Sequence, residues 1–345
     1  MCNSSRHLVL LCLIGALSAC FSFGGEKPID EERSAHRIEW IRHSGWSAAT
    51  TLTKWSEARG ATSLFVGFVR PEHRVIPPGQ RTVPITKFDL EAGKPFSTLL
   101  ILKSGFSAPY PVLVSVFLDY EQVNFSLDGE AGVLHYVNVE PGVDMEIPME
   151  VAVQTPGWHD LFVVVFRDPD NHTTDPQARL PPRLGVGGLR TVLCAGDCST
   201  PTRASPKVMT GQKTELQSNS VYAYPLLGEE GAPQRRLLLS SEVHAGARLS
   251  TQLWARNPGD KLRDYFVIPL LDYGQVSFAG SNVLHLRMPP GSELIIPGDI
   301  RVPGENGVHE LQFISIFDPH QALDRVTDKV VESSMRSALV VKDGK

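Results

Sequence analysis

The sequence predicts an all-β protein that consists of two similar sandwich-type domains in tandem. The first observation is an internal repeat, in which residues 118–125 (LDYEQVNF) return as residues 271–278 (LDYGQVSF). Further along, residues 157–161 (GWHDL) return as residues 307–311 (GVHEL). Each copy is too large to be one repeat of a solenoid protein and is about the size of a single all-β domain.

The second observation is the period of the hydrophobic pattern. Apolar side chains occupy alternate positions through residues 143–153, and residues 294–302 keep the same phase. A period of two indicates a half-buried strand rather than a helix. Pro148 and Pro297 lie on the outward phase, which predicts an edge strand or a bulge because proline cannot donate to the ladder. Residues 161–166 are almost continuously apolar and predict a central strand.

Each copy contains about seven short strands separated by Gly, Pro and Asp turns. This pattern resembles the bacterial immunoglobulin-like (Ig-like) and fibronectin-like β-sandwiches, over about residues 62–345. No named family is recognised within that class. The resemblance implies two tandem sandwiches, and a jelly roll is the alternative topology.

The chain is predicted to have five parts. They are a lipoprotein signal peptide at 1–19, a tether at 20–61, a first sandwich at 62–198, a linker at 199–218 and a second sandwich at 219–345. Within the tether, the charged stretch at residues 30–42 is a candidate for a short helix.

The N-terminus carries a targeting signal, since Arg6 precedes an apolar stretch at residues 8–17 of secretory length. The stretch ends in residues 17–20 (LSAC), which resemble the lipobox of bacterial lipoproteins. The resemblance implies that Cys20 becomes a lipidated N-terminus, with acyl chains such as palmitate anchoring the protein to the outer or plasma membrane. The protein would then lie in a bacterial cell envelope and face the periplasm or the exterior. The alternative is an ordinary signal peptide with an incidental cysteine.

Composition excludes some partners. The 345 residues carry a formal net charge of -5, and no basic patch is interleaved with aromatic residues, so a nucleic-acid partner is not expected. The hydrophobic content of 42% is ordinary for a folded chain.

Cys194 and Cys198 are predicted to form a local disulfide. Thiols tend to oxidise outside the cytoplasm, and a turn at Gly196 and Asp197 would bring the pair together. Free thiols, or a metal or redox role, are the alternatives. Zinc would need two more ligands, which no nearby Cys or His supplies.

The repeated Asp-Tyr-x-Gln element is the sharpest motif in the chain. It comprises Asp119, Tyr120 and Gln122 in the first copy, and Asp272, Tyr273 and Gln275 in the second. One interpretation is a ligand contact at a sandwich rim, with the tyrosine as a rigid amphipathic surface. The other is a polar turn with a packed tyrosine, which recurrence in both copies favours.

Two histidine pairs also recur, His135 with His285 and His159 with His309. They suggest a metal site, but recurrence in both copies favours a structural role, and no metal is predicted.

Asp168, Asp170 and Asp175 are a possible calcium loop because oxygen-rich loops at a sandwich end can hold Ca²⁺. An ordinary turn after Asp168 is the alternative.

No catalytic motif is recognisable, so the sequence predicts no enzyme and no cofactor. The expected function is a non-catalytic binding, adhesion or envelope-assembly module with a protein or glycan partner. The loop at residues 170–184 and the acidic outer strand faces are the candidate contact surfaces. The alternative is a hydrolase or metal-dependent enzyme on a sandwich scaffold, which would depend on the cysteine pair or the Asp170 loop.

Overall fold

A computed structural model describes residues 38–54, 64–69, 87–179, 186–198, 208–215, 226–229, 237–319 and 331–343. The predicted signal peptide and Cys20 lie outside these residues. Regular structure in the described ranges is almost entirely β, apart from a single-turn helix, α1 (Pro176–Arg179). No helix in this part of the chain is long and apolar enough to cross a membrane.

The first sandwich has two sheets. Its strands are β1 (Trp40–Arg42), β2 (Thr51–Lys54), β3 (Leu64–Val69), β4 (Lys87–Leu90), β5 (Phe96–Ser104), β6 (Tyr110–Leu118), β7 (Glu121–Val123), β8 (Phe125–Leu127), β9 (Glu130–Gly132), β10 (Leu134–Val139), β11 (Val143–Val151), β12 (Gly157–Arg167) and β13 (Val186–Ala195). We call the sheet β1-β10-β6-β12-β13-β4, with β7 on β6, the first inner sheet. The first outer sheet is β3-β5-β11-β8-β9, with β2 on β11.

The second sandwich repeats this plan. Its strands are β14 (Gln212–Glu215), β15 (Leu226–Glu229), β16 (Ser240–His244), β17 (Arg248–Asn257), β18 (Arg263–Leu271), β19 (Gly274–Gln275), β20 (Leu284–Met288), β21 (Ser292–Arg301), β22 (Gly307–Phe317), β23 (Val331–Ser333) and β24 (Ser337–Lys342). The second inner sheet is β16-β24-β22-β18-β19, with β20 on β18 and β23 on β22. The second outer sheet is β14-β21-β17-β15.

Each sandwich encloses its own apolar core, and the alternating pattern of the sequence supplies it. In the first, Met145, Ile147 and Met149 of β11 face Val114 and Val116 of β6. The second core includes side chains from β17, β18, β21 and β22. The prediction of an all-β protein with two tandem sandwiches is therefore confirmed.

The first sandwich begins inside the segment that was predicted to be a tether. β1 runs parallel to β10, and β2 runs antiparallel to β11. The helix suggested for residues 30–42 is wrong for residues 40–42, which form β1; residues 30–37 lie outside the described ranges. Pairing with the open edge of the inner sheet decides the conformation there, because so short a helix has little intrinsic stability.

β11 is an interior strand, but Pro148 itself has a strand partner on one side only, so the predicted edge position holds locally and not for the strand as a whole. On one side β11 pairs with β5, where Pro148 faces Leu99. On the other side, pairing with β2 stops at Glu146 and pairing with β8 begins at Met149. The proline therefore falls in the gap between two partner strands, where no ladder hydrogen bond from its nitrogen is needed.

Candidate functional site: the joint between the sandwiches

The two inner sheets pack face to face through their outward sides, and we call this interface the joint. Its buried members are Leu113, Phe117, Tyr120, Leu134, Phe162, Val164 and Phe166 from the first sandwich, and Phe266, Ile268, Leu270, Tyr273, Ile314 and Ile316 from the second. This packing explains why residues 161–166 are continuously apolar. Alternate side chains of β12 face its own core and the joint, so both faces of the strand are buried.

Aromatic rings from both copies interlock in the joint. The ring centroids of Tyr120 and Phe266 are 4.4 Å apart at an interplanar angle of 72°. Phe166 and Tyr273 also contact each other across the joint, with ring centroids 5.0 Å apart in a tilted arrangement. Such aromatic contacts stabilise an interface beyond the simple burial of apolar area.

The two glutamines of the repeated motif bind each other reciprocally. The backbone N–H of Gln122 donates to Oε1 of Gln275 at 2.8 Å, and the backbone N–H of Gln275 donates to Oε1 of Gln122 at 2.8 Å. The side-chain amides then donate across the joint to the carbonyls of Tyr273 (2.9 Å) and Tyr120 (3.0 Å). The joint therefore has the self-complementary character of a two-fold interface within one chain.

The Asp-Tyr pairs form two-residue hairpin turns with left-handed backbone. The φ angles are 51° at Asp119 and 70° at Tyr120, and 48° at Asp272 and 67° at Tyr273. Both central residues of a type I′ hairpin turn need positive φ, which Gly and Asn adopt more readily than tyrosine. The left-handed conformation costs roughly 1–2 kcal/mol per residue, so surrounding contacts must hold these turns.

The aspartates and the recurring histidines hold the turns. The carboxylate of Asp119 accepts from a backbone N–H of β12 at 3.1 Å and lies 2.7 Å from Nδ1 of His159. Asp272 makes the same contacts, with a backbone N–H of β22 at 2.9 Å and with Nδ1 of His309 at 2.6 Å. His159 and His309 are thus placed as turn partners.

The motif tyrosines are buried, with only 3% of Tyr120 and 2% of Tyr273 exposed. The Tyr120 hydroxyl donates to Asp160, whereas Tyr273 donates to the carbonyl of Pro169 at 3.0 Å, across the joint. Burial raises the pKa of Tyr273 above its ordinary value. Asp119, Tyr120, Gln122 and their second-copy equivalents therefore contribute to the joint, and the structure does not place them as ligand contacts on an exposed rim.

Two buried arginines cross the joint reciprocally. Arg190 donates to both carboxylate oxygens of Asp160, at 2.7 and 2.8 Å, and to the carbonyls of Phe317 and Asp318 in the other sandwich, both at 3.2 Å. Burial opposes the charge of Arg190, but the Asp160 carboxylate outweighs it and holds the arginine pKa above its ordinary value. Arg336, at the matching position of the repeat, donates to the carbonyl of Asp168 at 3.0 Å.

These arginines were not predicted as functional residues, although a signal was present in the repeat. Residues 189–191 (LRT) match residues 335–337 (MRS), and each set opens an apolar run. A charged residue that recurs beside a buried strand needs a buried partner, because unpaired charge is costly there.

The loop after β12 contributes a further contact across the joint. Arg179, at the end of α1, is 1% exposed and forms a bidentate pair with Glu310 of the second sandwich at 2.7 and 2.8 Å. Burial raises the pKa of Glu310, but the hydrogen bonds from Arg179 and His172 and the positive charges of Arg336 and Arg179 together outweigh it, so the net pKa shift is downward. Arg179 thus ties the end of this loop to the second sandwich, whereas Asp170 and residues 174–178 are exposed, so their role as a contact surface stays a prediction.

The three loop carboxylates do not converge on one site. Asp168 accepts from the side chain of Asn171 at 3.0 Å, and Asp170 accepts from the hydroxyl of Tyr136 at 2.6 Å. Asp175 accepts from a backbone N–H of α1 at 2.9 Å. Within the described ranges, no group of three or more His, Cys, Asp or Glu side chains is placed to hold a metal ion. The predicted calcium loop is therefore not assembled.

Cys194 and Cys198 are joined as a disulfide, with their Cα atoms 5.7 Å apart. The turn between them uses Gly196, whose φ is 67°. The indole N–H of Trp158 donates to the carbonyl of Cys198 and fixes the loop against β12. The cysteines therefore brace the end of β13.

The other recurring histidines have different partners in the two copies. Nδ1 of His135 lies 3.0 Å from Nε2 of His43, and burial lowers the pKa of His135 to about 4. Nε2 of His285 instead lies 2.9 Å from a carboxylate oxygen of Asp264. Recurrence in sequence does not correspond to a shared role here.

Each outer sheet carries an ion pair between an acidic and a basic side chain, and the acidic strand faces stay a predicted contact surface. Asp144 pairs with Lys103 at 3.1 Å in the first outer sheet. Asp299 pairs with Arg248 at 2.5 Å in the second.

The fold and the joint define a class: a two-domain all-β protein whose sandwiches are fused through their inner sheets. No family model matches the chain, and no curated protein does. Among solved structures it is similar to WR4, an MSP family member of C. elegans (12% identity, 32% of this chain and 93% of that chain, TM-score 0.21). It is also similar to the fibronectin(III)-like modules of Clostridium thermocellum CbhA (12% identity, 81% and 94%, TM-score 0.19). A third is the calcium binding domain CBD12 of CALX1.1 (10% identity, 74% and 97%, TM-score 0.20). These scores are low, and the fold of this chain follows from its own sheets.

Proposed function

We propose that the chain is a lipid-anchored, extracytoplasmic binding or assembly module of a bacterial envelope, with no catalytic role. The observation that carries this proposal is the joint. Every residue of the repeated Asp-Tyr-x-Gln motif lies in it or supports it, so the most distinctive polar residues serve to fuse two domains. A rigid body of this kind suits the presentation of surfaces rather than a reaction.

The anchor is supported by two features of the chain. Residues 17–20 (LSAC) follow an apolar stretch of secretory length, and their resemblance to a lipobox assigns the lipid to Cys20. The Cys194–Cys198 disulfide is of a kind that persists in oxidising compartments outside the cytoplasm.

The rival proposal is a hydrolase or a metal-dependent enzyme. It relied on groups that are present in one copy only, namely the cysteine pair and the Asp170 loop. The cysteines are bonded to each other, and Asp170 is bound to Tyr136. Neither group offers a nucleophile with an adjacent base, so the binding module is the better supported of the two.

The anchor is tested by Cys20→Ser, with Cys12→Ser as the matched control inside the same signal segment. In bacterial cells that express the full chain, we expect the first variant to lose acyl label and to leave the membrane fraction. The control should keep both. Retention of acyl label by Cys20→Ser would contradict the proposal.

The binding role is tested by placing a photo-crosslinking residue on the body in intact cells. Phe65 and Leu262 are suitable exposed positions, at 54% and 49%, and Phe266 in the joint is the buried control. We expect a discrete crosslinked partner from an exposed position and none from the joint. Absence of any crosslink other than to lipid, over a full scan of both outer sheets, would contradict a binding role.

A further inference from the structure

Two buried histidines each lie between two hydrogen-bond acceptors. Nδ1 of His159 is 2.7 Å from a carboxylate oxygen of Asp119, and its Nε2 is 2.8 Å from the backbone carbonyl oxygen of Thr155. In the second copy, Nδ1 of His309 is 2.6 Å from the Asp272 carboxylate, and its Nε2 is 3.0 Å from the carbonyl oxygen four residues earlier. Both rings are almost completely buried.

A neutral imidazole has only one N–H, so it can satisfy only one of these two acceptors. Its other nitrogen, in a ring that is itself almost completely buried, would direct a lone pair at an oxygen, which is unfavourable. A ring with both nitrogens protonated donates in both directions and forms an ion pair with the carboxylate.

We propose that His159 and His309 are held as imidazolium cations at neutral and mildly alkaline pH. Each Asp–His pair would then retain a proton that a free histidine, with an ordinary pKa of about 6.5, has lost. The same geometry occurs independently in both copies, which is the main support for the assignment.

The other charged groups around the rings are already paired. Beside His159, the carboxylate of Asp160 is bound by Arg190, so Asp119 is the counter-ion of the ring. Beside His309, the carboxylate of Glu310 is bound by Arg179 and lies 3.5 Å from Nδ1 of His172, so Asp272 is the counter-ion of the ring. Arg336 and Tyr273 belong to the same group of charges, as neighbours of Glu310 and Asp272.

The retained protons make the joint sensitive to alkali. Asp119 and Asp272 hold the turns that place Tyr120 and Tyr273 in the joint. A proton held more tightly in the folded state stabilises it fully below the ordinary histidine pKa. That stabilisation is lost as the pH rises through the titration of the pair. Deprotonation would therefore loosen the turns and then the joint.

The first test counts doubly protonated rings in the full chain by nitrogen NMR of labelled histidines at pH 8. Of the 11 histidines, we expect two to carry protons on both nitrogens. His159→Gln and His309→Gln should each remove one of these signals, whereas His244→Gln, on the exposed end of β16, should remove neither. A single N–H on every ring at pH 8 would overturn the proposal, and this count requires no variant to fold.

The second test follows the joint by amide hydrogen exchange, corrected for intrinsic rates, between pH 8 and pH 10. The N–H groups of Gln122 and Gln275 are protected by each other's side chains, so they report on contact between the sandwiches. We expect their protection to fall at least tenfold as the Asp–His pairs titrate, while amides in the middle of β5 stay protected. Unchanged protection through a titration seen by NMR would overturn the alkali-sensitive joint.

Discussion

Tyr120 illustrates how single residues of the motif work. Its backbone is left-handed, its ring contacts Phe266 of the other sandwich, and its hydroxyl donates to Asp160. The unfavourable backbone conformation is tolerated because the side chain is buried between two sheets. A tyrosine in an exposed loop would have no such compensation.

Replacement of Tyr120 by alanine should lower the free energy of unfolding by about 3–5 kcal/mol, as expected for a large buried aromatic ring. Tyr120→Phe keeps the ring and loses only the hydroxyl contact, so a smaller loss of about 1–2 kcal/mol is expected. Chemical denaturation of both variants measures the difference. An unchanged midpoint for Tyr120→Ala would indicate a ligand residue rather than a structural one.

His135 predicts a loss of stability in acid. Its pKa is lowered to about 4 by burial and then by the nearby His43, whereas the unfolded ring titrates near 6.5. The unfolded chain therefore binds more protons between these values, and stability falls as the pH drops from 6.5 towards 4. The contribution is at most about 3 kcal/mol. Urea unfolding at pH 7 and pH 4.5 measures the free energy of unfolding, which should change less with pH for His135→Gln than for wild type. An equal change in both proteins would contradict this assignment.

Among the elements, the loop that ends in α1 has the clearest energetic role. Arg179 of the first sandwich forms a buried ion pair with Glu310 of the second. The two residues are 131 positions apart in the sequence. No local pattern marks such a pair, because its two members lie far apart in the sequence.

Arg179→Ala should destabilise the protein by about 3–5 kcal/mol, since it removes the bidentate partner of a buried carboxylate and leaves Glu310 only its longer contacts with His172 (3.5 Å) and Arg336 (3.8 Å). Arg42→Ala is the matched control, because its pair with Asp170 is exposed and should contribute less than about 1 kcal/mol. Thermal denaturation measures how much stability each variant loses relative to wild type. Equal losses of stability for the two variants would mean that the loop does not bind the second sandwich in solution.

The sequence predicts the strands well and their contacts across the joint poorly. Alternation over residues 143–153 identifies both the strand and its buried face, because one side of that strand meets water. In β12 no alternation remains, since Phe162 and Val164 are covered by the other sandwich. What covers a second apolar face depends on how distant parts of the chain pack, and no local pattern encodes it.

At the scale of the whole molecule, the joint should make the two sandwiches unfold together. A calorimetric scan of the wild-type chain should show a single transition. Phe162→Asp places a charge in the joint. It should split the transition into two or lower the transition temperature strongly. Phe65→Asp, on the exposed face of β3, should leave the single transition intact. Two transitions in the wild type would contradict the coupling.

The face-to-face packing of the inner sheets also determines what remains available outside. The layers follow one another as outer, inner, inner, outer, so the two outer sheets point away from each other. A partner on one side cannot contact the other side without reaching around the body. The distance between the two outer faces is therefore set by the thickness of the four layers, whereas two domains on a flexible linker would let that distance vary.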